Sequence, residues 1–365
     1  MKFHFCKEGE TLLSIAREEG ISPVRLIEEN ALSDPDRLAV GQCLAIYSAS
    51  RIYTVRGADT IGSISSRLGC NPLDLIRLNP AIGERGLLYP GQSLVLGRGA
   101  PTLGAATVIG IAHSTISCHI IQNFASALTY IAFMLTNSDF ERGHQLSEVK
   151  KKAELAKEKG VGVLLGVRDG IPPIELALDG GFSGVLLSGS HNSTELSRAT
   201  EAFKNQGLLT VLRTDFPLSS PIGADLYLPR AASPTESFYA AARRLGKESG
   251  CASYRTLVPL SSSAGLLPPS VSAERPPRLS ELQRFAYRRN TPILRDEDGR
   301  PYLTLAQVKE NRRTHRTLLF EDLASIRKGL TVIGESLLAG IALELDGMPP
   351  AVAPLLSHSF EIIRR

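Results

Sequence analysis

The first 96 residues carry one pattern of apolar and polar positions twice. In each copy a short apolar run leads into a polar turn, and apolar residues then recur at the spacing of one helix face. A second helical stretch and a Gly-Gln turn follow, and the copy closes with another apolar run. Thr11 returns as Thr60 about 50 residues later, which is a repeat of module length. The pattern predicts two β-α-α-β modules, at residues 1–48 and 51–97.

The polar positions of the repeat mark the ends of its helices. Thr11 and Thr60 precede the first helix of each copy, where a side-chain oxygen caps the free backbone N–H groups. Asn30 and Asn79 stand where the second helix ends. Small duplicated modules are typical of binding proteins, because two linked weak sites hold a polymer by avidity.

The two copies share a set of short motifs in addition to the order of their elements. In the second copy these are Tyr53-Thr54-Val55, Asp59-Thr60, Leu75-Ile76-Arg77-Leu78-Asn79-Pro80 and Tyr89-Pro90-Gly91-Gln92. This skeleton resembles the LysM carbohydrate-binding module, and the resemblance spans the whole module twice. The first copy departs from it, with His4 in the place of Tyr53 and Ala31-Leu32 after its Asn. The affinity of the first copy for a ligand is therefore the less certain of the two.

The resemblance implies binding of N-acetylglucosamine chains, in peptidoglycan or chitin, in a shallow groove between two loops. One loop follows the first strand and the other follows the second helix. Carried onto this sequence, the first groove comprises Gly9, Glu10, Thr11, Leu12, Asn30, Ala31 and Leu32. The second comprises Asp59, Thr60, Ile61, Asn79, Pro80, Ala81 and Ile82. The alternative for the Thr and Asn residues is that they only cap helices.

Beyond a linker at residues 98–105, apolar runs alternate with helical patterns. The apolar runs are 106–111, 128–135, 162–167, 184–187, 208–212, 225–228, 254–260 and 340–345. Eight strands that alternate with helices favour a (β/α)₈ barrel, and residues 106–365 have about the ~250-residue length of that fold. The fold class is therefore α/β, with two small modules followed by a TIM-type barrel. Residues 260–277 are predicted as a long loop after strand seven, and residues 312–316 as a polar loop.

Composition excludes several classes of function. The net charge of +4 is spread over 41 basic and 37 acidic residues, so no basic domain for nucleic acid is present. No window reaches membrane-spanning length. The five cysteines have neither metal-binding nor disulfide spacing, and the sequence predicts no metal and no cofactor.

Several short sequence motifs of the long C-terminal domain indicate one family. The motifs are Leu128-Thr129-Tyr130-Ile131-Ala132-Phe133, Thr291-Pro292-Ile293-Leu294-Arg295-Asp296, Leu319-Phe320-Glu321-Asp322-Leu323 and Ser357-His358-Ser359-Phe360-Glu361. They resemble glycoside hydrolase family 18, in the LysM-bearing spore-cortex and germination branch of Gram-positive spore formers. Residues 1–8 lack an apolar signal core. The sequence thus predicts synthesis in the cytoplasm, and the resemblance implies the mother-cell cytoplasm with assembly onto the spore coat or cortex.

The chemistry of that family depends on a DxxDxDxE motif on the fourth strand. Its Glu protonates the glycosidic oxygen, and the substrate's own N-acetyl group acts as nucleophile. Here Leu186, Ser188 and Ser190 stand where the last three acids belong. A serine hydroxyl is too weak an acid to deliver that proton near neutral pH. The chain also has no Trp, so the family's floor tryptophan for sugar stacking is absent.

A rebuilt catalytic site is the alternative. Asp169, Asp215, Glu344 and Asp346 fall near the carboxyl ends of predicted strands, the face on which barrel enzymes place catalytic groups. For three of them turn chemistry is the simpler interpretation: Asp169 and Asp346 precede Gly, and Asp215 precedes Phe-Pro. No DxDxE-like triplet occurs in residues 106–365, so a shifted alignment would not restore the motif.

Three functions remain open on the sequence alone. The first is a non-catalytic protein that binds peptidoglycan or a chitin-like N-acetylglucosamine polymer through its LysM pair, with a degenerate barrel as scaffold. The second is an active cortex-lytic N-acetylglucosaminidase with a non-standard acid. The third is an adaptor that anchors to the wall and recruits a spore coat protein. The sequence favours the first.

Overall fold

The structure is a computed structural model of the 365-residue chain. The residues that it describes are 1–47, 51–70, 72, 75, 76, 79, 82, 86–97, 102–136, 144–168, 170–188, 193–214, 223–230, 235–261, 265–267, 277–309 and 312–363.

The chain forms two compact units, each assembled from several segments. The first unit comprises Met1–Thr102, Ser262–Lys328 and Pro349–Ser359. The second unit comprises Leu103–Ser261, Gly329–Met348 and Phe360–Arg365.

Residues 1–47 of the first unit form a β-α-α-β module. Its elements are β1 (Lys2–Phe5), α1 (Leu12–Glu18), α2 (Pro23–Asn30) and β2 (Cys43–Ile46). The two strands pair antiparallel. The predicted cap is confirmed: Thr11 Oγ1 accepts the Ser14 backbone N–H at 3.1 Å, and Ser14 Oγ accepts that of Thr11 at 2.9 Å. The apolar stripe of α1 therefore faces a small core that includes Ile15, Leu26 and Leu44.

The second copy repeats this local structure. Its elements are β3 (Arg51–Thr54), α3 (Ile61–Leu68) and β4 (Ser93–Gly97). Thr60 and Ser63 form the same reciprocal cap as their counterparts, and Gly69 ends α3 in the left-handed conformation (φ 63°). The second helix predicted for this copy lies partly outside the described residues. The core of the copy includes Ile64 and Leu94.

An antiparallel sheet also belongs to the first unit. Its elements are β12 (Gly265–Leu267), α9 (Leu279–Arg288), β13 (Leu294–Arg295), β14 (Pro301–Lys309) and β15 (Arg312–Leu319), and the strand order is β12-β15-β14-β13. The prediction of a polar loop at 312–316 is wrong, because β14 and β15 pair continuously from Tyr302↔Leu319 to Lys309↔Arg312. Residues 265–267, predicted as loop, are a strand as well.

The second unit contains the barrel. Its strands are β5 (Ala105–His113), β6 (Tyr130–Leu135), β7 (Gly162–Val167), β8 (Gly184–Leu187), β9 (Leu209–Thr214), β10 (Leu226–Pro229), β11 (Leu257–Leu260) and β16 (Gly340–Glu344). All neighbours in the order β10-β9-β8-β7-β6-β5-β16-β11 are parallel. One bridge between Tyr227 and Thr256 links the two end strands. The predicted eight-stranded α/β barrel is confirmed.

Helices connect most of these strands. They are α4 (Cys118–Phe124), α5 (His144–Glu158), α6 (Ile174–Asp179), α7 (Ser193–Asn205), α8 (Phe238–Glu248), α10 (Leu323–Glu335) and α11 (Val352–Ser359). After α11 the short β17 (Glu361–Ile362) pairs with β5. The motif from Ser357 to Glu361 resembles the closing strand of family 18, but Ser357 to Ser359 lie in α11 and only Glu361 and Ile362 form the strand.

The barrel interior is filled by side chains from successive strands. Ile109, Ala132, Leu164, Leu186 and Ala342 belong to one buried cluster. Because all eight strands run the same way, their carboxyl ends meet at one face, where barrel enzymes place catalytic groups. That face carries the sequence positions to be compared with family 18.

Candidate glycan-binding and catalytic sites

The first predicted groove is bounded by the turn after β1 and the end of α2. Gly9, Thr11 and Ala31 are exposed, and Leu32 is half-buried. Leu12 lies in the module core, which leaves it little surface for a ligand. The groups that a ligand can reach here are therefore mainly backbone and short side chains.

The second predicted groove has the same distribution of exposed groups. Thr60 is exposed and Ile61 is half-buried, while Ile82 is 3% exposed and belongs to the module core. Pro80 and Ala81 lie outside the described residues. Among the described members of this groove, Ile61 is thus the apolar residue with surface available for a sugar ring.

The two predicted asparagines have a structural task in each module. The Asn30 amide nitrogen donates to the carbonyls of Leu26 (3.0 Å) and Ala45 (2.9 Å), and its oxygen accepts the Ala45 N–H at 2.7 Å. Asn79 makes the same three bonds, to Leu75 and Val95. Both side chains are buried and tie the second helix to the last strand of the module. They hold the groove loop in place.

A polar triad lies beside the second groove. The Tyr53 hydroxyl donates to Asp59 Oδ2 at 2.5 Å, and Arg67 Nη2 lies 3.0 Å from Asp59 Oδ1 and bonds Tyr53 as well. The Tyr53 hydrogen bond, the Arg56 backbone N–H and Arg67 lower the pKa of Asp59. Arg67 was not among the predicted site residues, although its place in the last turn of α3, eight residues after Asp59, was a usable signal.

The first module builds a different pair at the same positions. His4 Nε2 lies 2.8 Å from Glu10 Oε2, which also accepts the Lys7 backbone N–H at 2.8 Å. Burial alone raises the pKa of Glu10, but the bonds from Lys7 and His4 outweigh it, so the pKa falls. The departure from Tyr53 to His4 therefore keeps a carboxylate anchor under the groove loop.

Replacement of Asp59 by Asn tests this anchor through pH. A carboxylate whose folded pKa is depressed stabilises the fold above its unfolded value, near 3.8, and the stabilisation is lost as pH falls through the folded pKa. We expect wild type to melt at a higher temperature than D59N at pH 7. This difference should persist to about pH 5 and shrink below about pH 4. Thermal melts of both proteins across this range measure it, and a constant difference would contradict the assignment.

The fourth barrel strand carries none of the expected acids at its described positions. Leu186 is fully buried in the barrel cluster. Ser188 is buried, and its Oγ lies 2.6 Å and 2.7 Å from the carbonyl oxygens of Val167 and Arg168, to which it can donate. Ser190 lies outside the described residues. The proton of Ser188 is thus engaged with the neighbouring strand rather than presented to a substrate.

Two of the four alternative carboxylates, Glu344 and Asp346, lie within the described residues. Glu344 Oε2 accepts a hydrogen bond from Ser261 Oγ at 3.0 Å, and Asp346 Oδ2 accepts the His113 backbone N–H at 2.9 Å. Asp346 thereby links the loop after β16 to the end of β5. Asp169 and Asp215 lie outside the described residues. Glu344 and Asp346 therefore lie at the carboxyl end of β16, and the hydrogen bond of Asp346 to the His113 N–H gives this carboxylate a structural role.

A cavity of the second unit lies at the opposite end of the strands. Thr107, Thr129 and Ala339 line it at the amino ends of their strands, together with Asp225. Asp225 is paired with Lys204 at 3.2 Å and accepts bonds from Thr210. In barrels this face serves stability, so the cavity is no substitute for a catalytic groove.

The described ranges contain neither a cluster of metal-binding side chains nor a membrane-spanning helix. Among those residues no group of three or more His, Cys, Asp or Glu side chains is arranged to hold a metal ion. None of the helices described there has the length and apolarity needed to cross a bilayer.

Comparison with known sequences identifies the modules. The LysM domain model matches residues 7–46 and 53–97, so both predicted LysM modules are confirmed. The membrane-bound lytic murein transglycosylase D of Escherichia coli (strain K12) is 42% identical over 74 residues, which is 18% of this chain and 16% of that protein. An endolysin of Bacillus phage B103 is 28% identical over 98 residues, 26% of this chain and 37% of that protein. The chain thus spans well under half the length of these relatives.

Comparison with solved structures concerns the whole chain. The spore cortex-lytic enzyme SleL of Bacillus megaterium has a TM-score of 0.68 at 19% identity, covering 100% of this chain and 99% of that one. SleL of Bacillus cereus has the same TM-score at 16% identity and the same coverage. A family GH18 chitinase from Cycas revoluta, complexed with allosamidin, covers 69% of this chain at 14% identity, with a TM-score of 0.52. At these identities the likeness is one of fold: LysM modules with a barrel like that of family 18.

Proposed function

We propose that this protein binds N-acetylglucosamine-containing cell-wall glycan through its two LysM modules and does not cleave it. The observation that carries the proposal is the fourth barrel strand. In a fold like that of family 18, a buried leucine and a serine bonded to a neighbouring strand stand at Leu186 and Ser188 in place of acids. The position of the family's proton donor reads Ser190 in the sequence, and because a serine hydroxyl does not protonate the leaving oxygen, the bond between sugars stays intact.

Peptidoglycan is the polymer that the relatives favour. The two sequence relatives are named for murein cleavage and for phage lysis, and the two SleL structures for the spore cortex. Two modules on one chain raise the affinity for such a polymer, because the second binding event becomes intramolecular. Placement on the spore coat or cortex, after synthesis in the mother cell, is part of this proposal.

The second candidate function is cortex-lytic N-acetylglucosaminidase activity. The likeness to SleL over the whole chain favours it, and Glu344 is a described carboxylate at the carboxyl end of a barrel strand. A third candidate, an adaptor that recruits a coat protein, follows from a barrel that no longer cleaves.

Incubation of the protein with purified spore-cortex peptidoglycan separates the first two functions. We expect the protein in the pellet with the polymer and no soluble fragments ending in N-acetylglucosamine, because the sequence has Ser190 at the position of the family acid. A murein-degrading enzyme on the same substrate serves as the positive control. Release of such fragments by wild type, and its loss in E344Q, would establish the enzyme instead. A coat protein retained on the polymer only when this chain is present would indicate the adaptor.

A further inference from the structure

Module 1 is packed against α9 within the first unit. Ala39 of the module shares a buried cluster with Leu282 and Ala286 of α9 and with Ile293. The Ile293 N–H donates to the Val40 carbonyl at 2.9 Å. The approach is so close that a Cβ on Gly41 (φ +80°) would lie 2.1 Å from the Ile293 oxygen, so only glycine fits there. The turn at residues 39–41 of module 1 is therefore packed closely against α9 and Ile293.

A surface groove runs between these two elements. On the module side it is lined by Leu32, a member of the predicted glycan loop, and by Ser33, Asp34, Arg37 and Gln42. Asp34 is paired with Arg37 at 3.5 Å, so its charge is balanced within the groove. On the helix side it is lined by Ser280, Gln283 and Arg284. A glycan chain that extends from the predicted groove of module 1 past Leu32 therefore contacts the side chains of α9.

The exposed side of α9 carries three arginines, and the one acid of this helix, Glu281, accepts the Arg278 backbone N–H at 2.8 Å. Arg284, Arg288 and Arg289 are exposed, and none of the three forms an ion pair with another residue that the structure describes. Phe285 is 38% exposed, and the Arg289 guanidinium lies 6.0 Å from its ring centroid. We call these four residues the arginine face. Three guanidinium groups with unused donors form a surface for carboxylates, which they bind through paired N–H groups.

Resting on the proposed function, we propose that the arginine face extends the glycan site of module 1 and binds carboxylates of an acidic glycan. Peptidoglycan carries such carboxylates on its peptide substituents, whereas chitin is neutral. The groove past Leu32 lets sugar rings sit on the module while their acidic substituents reach Arg284 and the next turn of α9. The site thereby distinguishes peptidoglycan from chitin by charge.

Neutralisation of the face tests this inference. The variant R284Q/R288Q/R289Q keeps side-chain length and helix propensity while it removes three charges. Its matched control is K150Q/R198Q/K247Q, which removes three charges from exposed positions on α5, α7 and α8. Binding of the full chain is measured on peptidoglycan sacculi, on the same sacculi with their carboxylates amidated, and on chitin beads. Each is measured at low and at high salt, and circular dichroism verifies that every variant is folded.

We expect the arginine-face variant to lose affinity for sacculi about tenfold at low salt, since three exposed charge contacts each contribute a factor of about two. The loss should shrink at high salt because screening weakens such contacts in wild type. The control variant should bind sacculi with the same affinity as wild type. On amidated sacculi, wild type should bind with no higher affinity than the arginine-face variant. Affinity for chitin should be equal in all three proteins.

Equal affinity of wild type and the arginine-face variant for sacculi would overturn the inference, and so would an equal loss in the control variant. Wild type that binds neither sacculi nor chitin would instead refute the proposed function itself. The two failures are thus distinguishable in one set of measurements.

Discussion

Replacement of Leu186 by aspartate is expected to lower the free energy of unfolding of the barrel by about 3–5 kcal/mol. Leu186 is fully buried among apolar side chains that include Ile109, Leu164 and Val211. A carboxylate there loses its water shell and gains no described cation, so it folds only by taking up a proton. The family acid therefore cannot be restored at this position without loss of stability.

Urea unfolding of L186D and wild type measures the effect. The matched control is Leu186→Met, which keeps volume and apolarity and should cost less than about 1.5 kcal/mol. The deficit of L186D should also grow as pH rises from 5 to 8, since the folded state must hold the proton that the unfolded state releases. An L186D variant as stable as L186M would mean that this strand still has room for an acid, and the burial of Leu186 would no longer count against a working family motif.

Replacement of Asn79 by alanine is expected to unfold module 2 while the barrel stays folded. The change removes three buried hydrogen bonds and leaves the backbone groups of Val95 and Leu75 without a partner, at a cost of about 3 kcal/mol or more. A module of this size has only about 2–7 kcal/mol of stability. Limited proteolysis should then cut N79A within residues 51–97 under conditions in which wild type is resistant.

Asn30→Ala is the matched control, because it removes the same three bonds from module 1. That module has further support: its Ala39 packs against Leu282 and Ile293, and its buried Tyr47 meets the His358 ring edge-on at 5.6 Å. We expect N30A to lower the melting temperature without making residues 1–47 sensitive to protease. Equal cleavage of both modules in their respective variants would show that this packing adds no protection.

The short-range features of the molecule were predictable because local chemistry decides them. Thr11 and Thr60 cap their helices through reciprocal bonds with the serine three residues later. The helix α9 (Leu279–Arg288) likewise follows from local pattern, since its apolar positions recur at helical spacing. The eight apolar runs became the eight parallel strands, which are buried on both faces and so read as continuous apolar segments.

The polar part of β15, residues 312–316, was not predictable in this way. Arg312 to Arg316 carry no apolar alternation, and their strand is set by pairing with β14, whose register starts from the buried pair Leu303 and Leu318. Backbone hydrogen bonds carry that register outward whatever the side chains are. The local sequence pattern therefore predicts a loop at residues where pairing with β14 forms a strand.

The sequence by itself determined the two LysM modules, the barrel and the absence of acids at Leu186 and Ser188, because each depends on local spacing or on residue identity. Only the tertiary structure decided what Asn30 does and what lies beside the groove of module 1. Asn30 bonds a strand 15 residues away, and Arg284 reaches the groove from far along the chain. Contacts at such separation leave no period in the sequence, since they are fixed by packing between elements and not by the order of residues within one.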